Sequence, residues 1–161
     1  NLLQALHGVQ FGLSQPQTND WIHRLLPVVQ AALQEMGMTP ERAGRQVATS
    51  ELVREGEPAL TIDGTERRRQ RPLDRQRQKE QDSGKKKAHT DKNILLVNES
   101  TGKVVYLGAT EAGAKHDKKA ADEAHIEYPD GATLDKDSGF QGYEPPGVLS
   151  QQPQKSPEAS N

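Results

Sequence analysis

The sequence predicts a mixed α/β protein, in which a helix-turn-helix head precedes a short mixed sheet. Three observations lead there. Apolar residues recur near helical spacing between Leu2 and Met36. Two apolar runs, Ile94-Leu95-Leu96-Val97 and Val104-Val105-Tyr106-Leu107, flank the turn sequence Asn98-Glu99-Ser100-Thr101-Gly102. An Ala-rich, charged stretch from Lys115 to His125 then precedes a short strand candidate, Ala132-Thr133-Leu134.

In chain order, Leu2, Leu3, Leu6, Val9 and Phe11 mark a first short helix that Gly12 interrupts. Ser14 reads as the N-cap of a second helix, with Pro16 in the first turn and Gln17 placed to complete a capping box. Its stripe is Trp21, Leu25, Val28, Val29, Ala32, Leu33 and Met36, with Pro27 expected to kink or divide the helix and Gly37 expected to end it. Residues 1–38 are thus read as the head and residues 39–58 as a polar connector with one weak helix. A sheet domain is expected over 59–146. It begins with the strand Leu60-Thr61-Ile62, which enters Asp63-Gly64-Thr65. The Pro-, Gln- and Ser-rich residues 147–161 read as a disordered tail.

Composition narrows the functional classes. Leu, Ile, Val and Phe make up only about a fifth of the chain, so a modest core and long solvated stretches are expected. There is no cysteine, which excludes disulfides and thiolate metal sites and suits a cytoplasmic protein. No apolar run approaches a membrane span, and no secretory leader is visible, so the sequon Asn98-Glu99-Ser100 carries no glycosylation expectation. The start without Met suggests a piece of a longer protein. The net charge of −2 conceals a basic block from Arg67 to Lys92 that includes Arg67, Arg68, Arg69, Arg71, Lys85, Lys86 and Lys87. That block reads either as a surface for a polyanion or as a solvated linker.

Several residues suit specific chemistry. Gln15, Gln17, Thr18 and Asn19 in the first turn of the second helix are the residue types that read base edges in a major groove, with His23 and Arg24 nearer a phosphate. The same pattern also fits a plain helical hairpin with a polar cap. Asp63 and Asp137 each follow a strand candidate, where a sheet holds a carboxylate rigidly yet open to a hard cation such as Mg²⁺. Singly each reads as a turn residue. The order strand, hairpin, helix, strand would bring the two to neighbouring strand ends. Asp117, after His116, reads first as a helix-start carboxylate. Gly108 to Lys115 lacks the Gly-Lys-Ser/Thr ending of a phosphate loop, and His89, His116 and His125 lack metal-ligand spacing.

The segments Ile62-Asp63-Gly64-Thr65-Glu66, Gln70-Arg71-Pro72, Ser83-Gly84-Lys85-Lys86-Lys87-Ala88-His89-Thr90, His116-Asp117-Lys118-Lys119 and Asp137-Ser138-Gly139-Phe140-Gln141-Gly142-Tyr143 occur in the order found in one group of proteins. Together they resemble the DDE superfamily transposases of Harbinger-like elements and bacterial insertion sequences. The head is similar to the helix-turn-helix that precedes the nuclease there. The resemblance implies a partial RNase H-like nuclease fold, binding of DNA at transposon ends and at a target, and two Mg²⁺ or Mn²⁺ ions held by three acids. It assigns Asp63 and Asp137 as the catalytic, metal-holding pair and Asp117 as an additional or supporting acid. No residue matches the third acid, a Glu on a later helix, so the cleavage and strand-transfer site is expected to be incomplete. A catalytically silent DNA-binding remnant is the alternative. A basic RNA-binding protein is a weaker one, given the few aromatic residues available for stacking. Homo-oligomerisation is left open.

Overall fold

The structure, a computed structural model, describes residues 2–54 and 58–152. The chain divides into two compact units, Asn1–Thr39 and Pro40–Asn161.

In the first unit α1 (Leu2–Phe11) and α2 (Gln15–Glu35) form a helical hairpin. Gly12, at φ +67°, supplies the left-handed turn between them. The capping box forms as the sequence predicts: Ser14 Oγ accepts from the Gln17 N–H, and Gln17 Oε1 accepts from the Ser14 N–H. Gly37, at φ +62°, follows the last turn, with Met38 N–H donating to Leu33 O at 2.9 Å and Gly37 N–H to Gln34 O at 3.0 Å. Pro27 does not divide α2, because its fixed φ suits a helix and its ring nitrogen removes only one hydrogen bond from the ladder. The expected apolar stripe gains little cover: Trp21, Leu25, Val28, Val29, Leu33 and Met36 are all exposed.

The second unit is a seven-stranded mixed sheet with helices interspersed. Its strands are β1 (Ala59–Arg68), β2 (Asp82–Ser83), β3 (Ala88–Asn98), β4 (Lys103–Leu107), β5 (Glu111–Ala112), β6 (Thr133–Lys136) and β7 (Leu149–Gln151). The main path runs β2-β3-β1-β6-β7, and β4 and β5 also pair with β3. The pairs β1–β3, β3–β4, β3–β5 and β2–β3 are antiparallel, whereas β1–β6 and β6–β7 are parallel. Helix α5 (Asp117–Ala124) lies in the crossover that the parallel β1–β6 neighbours require, and its Ala120 and Ala121 pack into the core with Leu60, Ile62, Leu96 and Leu134.

Three expectations change here. Within the connector expected over 39–58, residues 40–54 pack in the sheet unit: a 3₁₀ turn (Gly44–Thr49) and α3 (Glu51–Arg54) bury Val47, Leu52 and Val53, and Asn98 Nδ2 fastens α3 by donating to Leu52 O at 3.0 Å. The basic block is not an unstructured linker, because β1 and β3 continue as a nine-pair antiparallel ladder from Leu60↔Asn98 to Arg68↔Thr90, and α4 (Arg75–Gln81) and β2 fill the interval. Part of the expected tail is ordered, since Leu149–Gln151 form β7, which pairs with β6 through Thr133↔Leu149 and Asp135↔Gln151. Residues 153–161 of that expected tail lie outside the described residues. Among the described residues no helix is long and apolar enough to cross a membrane.

Candidate functional site

The parallel pairing of β1 and β6 ends at Ile62↔Lys136, so Asp63 and Asp137 each follow the last paired residue. The backbone makes these positions neighbours, but not at two strand ends as the order of elements predicts: Asp137 follows the last residue of β6, whereas Asp63 lies within β1, which continues to Arg68 in its ladder with β3. Both side chains are exposed. Each carboxylate is steadied by a local amide: Asp63 Oδ1 accepts from Gly64 N–H at 2.8 Å, and Asp137 Oδ1 accepts from Gly139 N–H at 2.8 Å. Asp137 thereby caps the 3₁₀ turn Ser138–Phe140, whose Phe140 is fully buried.

Asp117 is more central than its reading as a helix-start residue suggests. Its carboxylate closes over two glycines: a Cβ at Gly64 would stand 2.7 Å from Asp117 Oδ1, and a Cβ at Gly139 would stand 2.7 Å from Asp117 Oδ2 and 3.0 Å from Asp137 Oδ1. Asp117 and Asp137 thus converge around Gly139. A side chain at either glycine would push the Asp117 carboxylate out of this position.

Beneath Asp117 lies Lys92, only 5% exposed and paired in register with Glu66. Its ammonium sits 2.7 Å from Asp117 Oδ1, an ionic contact without aligned hydrogen-bond geometry, and 3.6 Å from Glu66 Oε1. It also donates to Lys115 O at 2.7 Å. Burial alone would raise the Glu66 pKa, but hydrogen bonds from Ser83 and Thr90 and the Lys92 ammonium outweigh it and hold Glu66 below the usual carboxylate range. The sequence places Lys92 in the basic block, read either as a polyanion surface or as a solvated linker, and neither reading expects it to be buried. Its role depends on strand register, which the sequence does not display.

These carboxylates do not fit a divalent metal held by three protein acids. Alternation along β1 places Asp63 on the face away from Gly64 and Glu66, whereas Asp117 covers the Gly64 face, and one Asp117 oxygen is already committed to Lys92. Among the described residues no group of three or more His, Asp and Glu side chains is arranged to hold a metal ion. No protein-family model, curated protein or solved structure matches the chain.

The residues expected to read DNA bases are largely occupied within the head. Thr18 is 2% exposed, with its hydroxyl donating to Ser14 O at 3.0 Å and lying against Gly8, so it cannot face a groove. Gln17 is held by the capping box. Asn19 Oδ1 accepts from Gln4 Nε2 at 2.8 Å, and Gln15 Nε2 donates to Gln4 Oε1 at 3.3 Å, so both tie α2 to α1. His23 Nδ1 lies 2.8 Å from Asn19 O, and the Arg24 guanidinium stacks 5.7 Å from the Trp21 ring centroid. These polar residues also form a helix cap and a helix–helix contact, the alternative the sequence left open.

The basic block divides into paired and unpaired cations. Arg67 donates to Asn93 Oδ1 at 2.9 Å, and Arg69 pairs with Asp91 at 2.7 Å across the β1–β3 ladder. Arg68 and Arg71 are exposed at and beyond the end of β1. Lys85, Lys86 and Lys87 project from the turn between β2 and β3, where Lys87 takes φ +48°.

Proposed function

We propose that the chain binds duplex DNA as part of a DDE transposase-like protein, and that its cleavage site is incomplete as it stands. The single observation that carries this reading is the parallel β1–β6 pairing with an acid directly after its last pair on each chain segment, Asp63 within β1 and Asp137 just past β6. The surrounding topology supports it. A core of β4-β3-β1-β6-β7, antiparallel on one side of β1 and parallel on the other, with a helix before β6, is the arrangement expected of an RNase H-like sheet. The turn carrying Lys85, Lys86 and Lys87 supplies unpaired positive charge for the phosphate backbone.

The arrangement of acids favours the silent form of this activity, DNA-end binding without strand cutting. Asp63 and Asp117 address opposite faces of β1, and Lys92 already neutralises Asp117. The polar groups of the head favour a structural role in assembling the hairpin over base reading, so preference among DNA sequences is not assigned to Gln17 or Asn19.

The purified chain should retard a supercoiled plasmid without nicking it in Mg²⁺ or Mn²⁺. Replacing Lys85, Lys86 and Lys87 with Ala should weaken binding evenly across sequences and reduce the slope of log affinity against log salt by about two to three. Gel electrophoresis of the plasmid and fluorescence anisotropy of labelled duplexes read the two effects. Nicking abolished by Asp63→Ala would contradict the incomplete site, and absence of any DNA binding would contradict the reading as a whole.

A further inference from the structure

We propose that the cleft between α4 and the start of β3 is a phosphate-binding site for the backbone of duplex DNA, distinct from the lysine turn. This rests on the DNA-binding reading above. The cleft encloses about 440 Å³ and is lined by Arg71, Arg75, Gln78, Lys79, Asp82 and His89.

Its unpaired charge sets it apart from the ion-paired cations of this unit. Arg69 has Asp91, Lys92 has Asp117 and Glu66, Lys115 has Glu111 and Glu123, and Lys136 has Glu144. Among the described residues, Arg71, Arg75 and Lys79 make no ion pair, yet they converge on one concavity with Asp82 as its one acid. Gathering three cations without counter-ions is unfavourable by itself, and a bound polyanion relieves that repulsion.

The cleft is also built rather than accidental. Gln78 Nε2 donates to Pro72 O at 2.7 Å, which orients its carbonyl to accept from Arg71 Nη2 at 3.0 Å and so fixes the guanidinium at the rim. Asp74, the acid nearest the start of α4, is consumed in capping that helix through the Arg77 N–H at 2.9 Å. Asp82 faces His89 in the β2–β3 register, which positions the floor. Two guanidiniums and an ammonium then present the forked and point-like donors that phosphate oxygens accept.

The test is the salt dependence of duplex binding by the full chain, read by anisotropy. The variant Arg71→Ala/Arg75→Ala/Lys79→Ala should bind about tenfold more weakly near 0.1 M salt, and its slope of log affinity against log salt should fall by about one to two. Arg71→Lys/Arg75→Lys keeps the charge and should retain the slope while losing forked contacts, and circular dichroism confirms that each variant folds. A wild-type slope in the alanine variant would overturn the cleft and leave DNA binding through the lysine turn intact. Failure of the unaltered chain to bind duplex DNA would overturn both.

Discussion

Replacing Lys92 with Met should destabilise the sheet unit by about 3–5 kcal/mol, the cost of leaving buried acids without their counter-ion. Lys92 is 5% exposed and stands between Glu66 and Asp117, so its removal strands two carboxylates, neither of which can turn fully to solvent. Urea unfolding should report the loss as a lower midpoint at unchanged slope. Removing all three charges together, as Lys92→Met/Glu66→Gln/Asp117→Asn, should recover most of it, because the penalty comes from the unpaired charge rather than from the lost attraction. A loss below about 1 kcal/mol in the single variant would mean that the network is solvated. The same network sets an acid limb. Because the folded-state pKa of Glu66 is depressed, its contribution is complete above the ordinary carboxylate range and is lost as pH falls through the lowered value. Glu66→Gln should remove that part of the acid sensitivity.

Phe140→Ala should cost about 3–5 kcal/mol and disturb the candidate site in the same step. Phe140 is fully buried, with its ring centroid 6.4 Å from that of Tyr143, and it pins the turn in which Gly139 donates to Asp137. Without the ring, the turn loses its anchor in the core, and Asp137 loses its fixed place beside Asp117. Chemical denaturation gives the energetic part. Amide shifts at Asp137 and Gly139 give the positional part, and a destabilised variant with both amides unmoved would show that the turn is held by its own hydrogen bonds.

Local chemistry made part of this structure legible in the sequence. Ser14, Gln17 and Gly37 carry their capping roles in their identities and spacing, and the β3–β4 turn with Gly102 at φ +66° follows from turn residues between apolar runs. That Asp63 and Asp137 are neighbours follows from each coming after a strand candidate, but that β1 continues past Asp63 does not, because its outer residues are polar. What was illegible depends on pairing across distance. The outer half of the β1–β3 ladder consists of Glu, Arg, Thr, Asp and Lys residues whose alternation is not apolar, so Thr90, Lys92 and Asn93 gave no sign of being buried. Val47, Leu52 and Val53 are isolated apolar residues in a polar stretch, and only the sheet they cover reveals them as core. β7 forms through backbone pairing with β6 although Leu149 is exposed, which is why a Pro- and Gln-rich segment concealed it. In the head the error ran the other way: Thr18 and Asn19 looked like free recognition residues because their partners, Gly8 and Gln4, lie on the preceding helix.

The proposed binding of duplex DNA along the side of the sheet unit that carries the lysine turn and the Asp63–Asp137 end of the β1–β6 pairing can be tested by local cleavage from a tethered iron chelate. The chain has no cysteine, so Asp63→Cys, Asp137→Cys and Ser100→Cys each offer one attachment point. Ser100 lies in the turn at the other end of β1, where the Glu99 N–H donates to Ala59 O at 2.9 Å. Hydroxyl radicals from the probes at positions 63 and 137 should cut a bound, end-labelled duplex, and the probe at position 100 should leave it nearly intact. Equal cutting from all three positions, or cutting from position 100 alone, would contradict the account.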